Sequence, residues 1–127
     1  MRWIIDGMNL IGSRPDGWWR DRAAARRRLV DELGRFTLAG GDRIEVVFDG
    51  AARADEVDRG AELGVAVSFA PGGPNAADRV IAEMARNASD PGATTVVTSD
   101  GPLASSVRAT GVEVVGVSAF RRRLDGP

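Results

Sequence analysis

Apolar residues gather along this chain into short runs that end on polar turn residues, with longer stretches of helical spacing between them. Met1 to Ile5 is such a run and stops at Asp6-Gly7, and Ile44 to Phe48 stops in the same way at Asp49-Gly50. Val65 to Phe69 is closed by Pro71, Gly72, Gly73 and Pro74, Thr94 to Thr98 by Ser99-Asp100-Gly101, and Val112 to Val117 by Ser118. Runs of this length, rich in Val and Ile and bounded by Gly, Pro and Asp, predict five buried strands. Asp21 opens an arginine-rich helix to about Leu38, with Ala25, Leu29, Leu33 and Phe36 on one face, and Gly40-Gly41 stops it. Ala51 to Glu62 is polar and reads as a short helix or an ordered loop. Asn75 caps a helix from Ala76 to about Asn87 whose apolar face is Val80, Ile81, Met84 and Ala85. Pro102 starts a helix to about Thr110, and Ser118 caps a last helix carrying Arg121, Arg122 and Arg123. The stretch after Gly7, with Gly12, Pro15 and Gly17, is predicted as a turn and polar loop.

Continuous apolar strands alternating with helices predict a mostly parallel sheet covered on both faces. The expected fold is therefore α/β, a three-layer α/β/α sandwich around a five-stranded, Rossmann-like sheet. Residues 1–127 suit a single domain, with no internal repeat, low-complexity tract or linker to divide them.

Ligands of such sheets bind beyond the carboxyl ends of the strands, near the switch in strand order. Asp6, Asp49 and Asp100 end three of the strands, and parallel strands put them on one edge. Asp78 lies in the first turn of a helix that starts at the same edge. The four carboxylates are expected to converge there, with Asp49 an outer member. The alternative for each is a turn residue or a helix cap. Unit charges about 4 Å apart at a partly exposed site repel by roughly 4 kcal/mol. The acids must then take up protons or attract a cation.

Composition narrows the chemistry. The chain has no Cys and no His, and every basic side chain is Arg. Thiol and imidazole chemistry, zinc-thiolate sites, P-loop lysines and Schiff bases are all excluded. Oxygen ligands alone favour Mg²⁺ or Mn²⁺, as in phosphoryl transfer by a metal-activated water. A receiver domain would need an acidic pair after the first strand and a lysine after the fifth. A dehalogenase-type phosphatase would need an acid where Met8 stands.

A net charge of −1 gives no overall attraction for a polyanion, so binding of one would depend on local arginine clusters. Arg14, Arg20, Arg22, Arg26, Arg27 and Arg28 form one around the first loop and the start of its helix. They read either as a phosphate-tracking surface or as a solvated helix face. Trp18 and Trp19 in the same loop stack unpaired bases or staple the helix start; Trp3 belongs to the core. No apolar segment approaches the roughly 20 residues of a membrane span, and no leader pattern opens the chain. A cytoplasmic protein is expected.

Four pieces together carry a family resemblance. They are Ile4-Ile5-Asp6-Gly7-Met8-Asn9-Leu10-Ile11-Gly12, Val46-Val47-Phe48-Asp49-Gly50, Asn75-Ala76-Ala77-Asp78-Arg79-Val80-Ile81 and Val97-Thr98-Ser99-Asp100. In this order the chain resembles the YacP-like NYN-domain proteins, a branch of the PIN-like ribonucleases. The resemblance implies a metal-dependent endoribonuclease with Asp6, Asp78 and Asp100 as catalytic and metal-binding acids and Asp49 as a further acid. It also implies that Asn9 binds a phosphate or a metal-bound water and that the Ser99 hydroxyl supports the site. Arg79 departs from the pattern, since a second acid often follows the helix aspartate, which weakens the case for a second metal. RNA is the implied partner, and on the phosphate-tracking and base-stacking readings above Arg14, Trp18, Arg20, Arg22 and Arg26 are its expected contacts. A second copy of the chain, or an RNA-processing or ribosomal complex, stays open as a further partner. The rival reading is a non-catalytic RNA-binding or ribosome-associated adaptor, which keeps the arginine surface without requiring all the acids.

Overall fold

Each of the five apolar runs forms a strand: β1 (Arg2–Asp6), β2 (Arg43–Asp49), β3 (Val65–Ala70), β4 (Thr94–Val97) and β5 (Glu113–Val115). The computed structural model, which describes residues 1–126, pairs them all in parallel in the order β3-β2-β1-β4-β5. Among the described residues five helices connect them, α1 (Gly7–Ile11), α2 (Arg22–Gly40), α3 (Ala54–Glu62), α4 (Ala76–Arg86) and α5 (Gly101–Arg108), and α6 (Val117–Asp125) follows β5. Single 3₁₀ turns occupy Trp18–Arg20 and Pro91–Ala93.

The two-residue period of a strand sorts its side chains onto opposite faces. Trp3 and Ile5 of β1 join Val46 and Phe48 of β2 and Val97 of β4 in one core with Leu29 and Leu33 of α2 and Phe120 of α6. Ile4, Val47 and Val96 point the other way, against Ile81 and Ala85 of α4 and Leu103 and Val107 of α5. The sheet thus has a core on each side, which is the expected three-layer arrangement. Among the described residues no helix is long and apolar enough to cross a membrane.

Several boundaries differ from expectation for local physical reasons. Helix α1 begins at Gly7, where only a turn and loop were expected. A Cβ on Gly7 would stand 2.4 Å from Phe48 Cδ1, so glycine lets the chain turn into a helix hard against β2. At five residues this helix is too short to show a period. Helix α2 continues through Gly40 and ends at Gly41, whose left-handed backbone (φ 71°) directs its N–H to the Thr37 carbonyl at 2.7 Å. Asp21 caps its start as expected, accepting from the Ala24 N–H at 3.0 Å.

Asn75 and Ser118 are corrected as caps. Asn75 sits at the N-cap position of α4 but is left-handed (φ 64°), and its side chain makes no capping bond. Ser118 lies inside α6, whose N-cap is Gly116. The polar segment before β3 resolves into α3, where Gly60 permits close packing on Val65 and Val67.

Candidate functional site

Strand order reverses at β1, with β2 and β3 on one side and β4 and β5 on the other. The crevice expected at such a switch lies beyond the ends of β1 and β4. The same alternation that points Ile4, Val47 and Val96 at α4 and α5 carries two residues further along each chain, to Asp6, Asp49 and Thr98. These three therefore face the start of α4, which carries Asp78.

Asp6 is 5% exposed, and its Oδ2 accepts from the Thr98 hydroxyl at 3.0 Å. Its carboxyl is pushed up from 3.8 to about 6. Burial is the main cause; the charges of Asp78 and Asp49 add to it, while the Thr98 hydroxyl and the Asn9 backbone N–H oppose it. Asp78 is also raised, first by burial, then by the charges of Asp100 and Asp49, with the neighbouring Arg79 pulling it down. Acids from four elements thus feel one another across the switch point.

Two of these acids also hold helices. Asp49 Oδ1 accepts from the Ala77 N–H at 3.0 Å, supplying from β2 the α4 cap that Asn75 does not make. Asp100 Oδ1 accepts from the Leu103 N–H at 2.8 Å and caps α5. Asp78 accepts no hydrogen bond among the described residues and is half-buried. The cap reading therefore holds for Asp49 and Asp100, leaving each a second oxygen, and fails for Asp6 and Asp78.

Thr98 is the residue that sequence reasoning missed. It is buried, donates to Asp6, and its Oγ1 accepts from the Asp100 N–H at 3.1 Å, so one hydroxyl ties the two strand-end acids together. A hydroxyl residue at the tip of the β4 apolar run, two places before an aspartate, was the available signal. Asn9 and Ser99 form a second layer: Asn9 Oδ1 accepts from the Ser99 N–H at 2.7 Å, and Ser99 Oγ accepts from the Val117 N–H at 2.9 Å. The Ser99 hydroxyl thus anchors α6, and the Asn9 amide keeps its NH₂ group as a donor.

All-oxygen donors whose charges raise one another suit a hard divalent cation. Among the described residues, however, no three acidic side chains are grouped closely enough to hold a metal ion between them. The donor chemistry, oxygen alone, is of the kind that Mg²⁺ or Mn²⁺ takes.

The arginine cluster separates into distinct roles. Arg26 is 7% exposed and bonds Glu56 bidentately at 2.7 and 2.9 Å, which withdraws it from any phosphate surface and joins α2 to α3. Arg14 pairs with Asp125, and Arg28 with Asp16. Arg20 and Arg22 are exposed and lie against Trp19 and Trp18, 5.8 and 5.2 Å from the ring centroids. Trp18 packs on the core, whereas Trp19 is 53% exposed.

The family model for the YacP-like NYN domain matches residues 3–126. Among solved structures, Rae1 (YacP) from Bacillus subtilis is similar at 23% identity, with a TM-score of 0.73 over 98% of this chain and 74% of that one. A single-substitution variant of the same protein gives 0.75 at the same identity and coverage. No curated protein matches the chain. The parallel sheet, the order of the motifs and the extent of the match agree: the chain belongs to the YacP-like NYN domain family, which is of nuclease type.

Proposed function

We propose that this chain is a divalent-metal-dependent ribonuclease that hydrolyses RNA phosphodiester bonds at the Asp6, Asp78 and Asp100 edge of the sheet. The observation that supports this reading is that Asp6 and Asp78, neither of which makes a capping hydrogen bond, lie buried and half-buried at the strand-end edge beside other acids, and both are raised first by that burial and then by neighbouring carboxylate charge. Asp6, Asp78 and Asp100 would hold Mg²⁺ or Mn²⁺, with Asp49 at the margin. When bound, the ion supplies Lewis-acid stabilisation of phosphate charge and lowers the pKa of water.

The protein's own part is positioning. Thr98 fixes Asp6 and Asp100 relative to each other, and the Asp49 cap fixes the start of α4 and so Asp78. The Asn9 NH₂ group is a donor suited to a phosphate oxygen. Trp19, with Arg20 beside it, supports a stacking platform for unpaired bases.

Cleavage of single-stranded and structured RNA in Mg²⁺ or Mn²⁺, repeated with EDTA, tests the proposal. Metal-dependent cleavage that vanishes in Asp6→Asn and Asp100→Asn proteins is expected; undiminished cleavage in either variant overturns the mechanism. One observation favours the rival adaptor reading, namely that the acids do not enclose a cation directly. RNA binding without cleavage of any of these substrates would establish that rival.

A further inference from the structure

A groove of about 730 Å³ runs along the outer side of α4, lined by Arg2, Arg79, Val80, Glu83, Met84 and Arg86. Arg79 and Arg86 are seven residues apart, hence on one helix face and roughly 10 Å from each other along the axis. Two of the groove's three arginines already have carboxylate partners: Arg86 pairs with Glu83, and Arg2 with Glu45. Arg79 has no carboxylate within ion-pair distance among the described residues and is exposed. It directly follows Asp78, and it is the one cation whose charge acts on Asp6 or Asp78. Its Nη2 lies 3.9 Å from where a Cβ on Gly72 would stand, which places the guanidinium along the loop between β3 and α4.

We infer that Arg79 is a substrate-binding residue that grips an RNA phosphate beside the scissile bond, and that the α4 groove carries the strand away from the acids. A clustered set of carboxylates repels an incoming polyanion, and a planar cation at its rim offsets that repulsion where a phosphate must approach. Val80, which is 38% exposed, and Met84 give the groove apolar surface for ribose and base faces between phosphate contacts. This assignment rests on the ribonuclease reading of the acids, and it selects α4 as the exit path of the strand.

The test is binding of a short single-stranded RNA in EDTA, measured over a range of salt in an Asp6→Asn background. Adding Arg79→Ala should weaken binding about tenfold, the scale of one charge-assisted contact. It should also flatten the plot of log affinity against log salt by about 0.7, the signature of one lost phosphate contact to a single strand. Arg79→Lys should keep the salt slope and recover part of the affinity. A merely structural role would change the melting temperature and leave the slope alone. Equal affinity and slope with and without Arg79, or no binding by the Asp6→Asn protein, overturns the assignment. The ribonuclease reading fails separately, if Asp6→Asn cleaves RNA as fast as the unsubstituted chain.

Discussion

At neutral pH the fold holds Asp6 charged against the preference of its surroundings. A carboxyl raised from 3.8 to about 6 stabilises the folded state fully below the lower value, and that contribution is lost as pH rises through the higher one. The two-unit difference corresponds to about 3 kcal/mol. Metal-free Asp6→Asn protein should therefore be more stable than wild type at pH 7, by up to that amount, and nearly equal to it below pH 4. Urea melts at the two pH values measure this, and a gap that is the same at both would contradict it. Thr98→Val removes the donor to Asp6 and the acceptor for the Asp100 N–H together. A loss of about 1–3 kcal/mol is expected, as for a buried polar group left unsatisfied. Thr98→Ser should restore most of it, and Asp6 should titrate higher in the valine variant than in either hydroxyl form.

At the scale of elements, α4 depends on a side chain from another part of the chain. Asp49→Ala should lower stability by about 1 kcal/mol through loss of its cap. Asp49→Asn, which keeps the acceptor, should melt close to wild type and keep most of any cleavage activity. Thermal melts beside the cleavage assay separate the cap from the charge. What could be read from the sequence divides along the same line. Strand runs and the long α2 were legible because their signals are local, and Asp21 was recognisable as a cap because its partner lies three residues away. The start of α4 was placed correctly, but its cap comes from 28 residues back, a distance over which sequence carries no signal. Arg26 was misjudged as surface for the same reason, since Glu56 lies 30 residues on. The edge shared by Asp6, Asp49, Asp78 and Asp100 followed from strand direction alone. Which of them also hold helices, and that Thr98 joins two of them, needed the packed structure.

At the scale of the whole molecule, Asp6 and Asp78 are both raised above the ordinary carboxylate value, so a cation bound beside them as proposed would stabilise the fold. At a hundredfold excess over its dissociation constant, Mg²⁺ or Mn²⁺ should add about 2.7 kcal/mol. Differential scanning calorimetry should show the midpoint rising with metal, falling again with EDTA, and indifferent to metal in an Asp6→Asn, Asp78→Asn protein. No rise in the unsubstituted chain would contradict direct stabilisation by the ion. The double duty of Asp49 and Asp100 has a consequence for descent. A lineage that lost catalysis would still be under pressure to keep a capping acceptor at both positions, because losing either costs the start of a helix about 1 kcal/mol. No helix cap of this kind holds Asp6, whose burial opposes folding at neutral pH, or Asp78, which accepts no hydrogen bond among the described residues. In an inactive descendant these two positions should drift first, so they distinguish a working member of the lineage from a retired one better than the full acidic signature does.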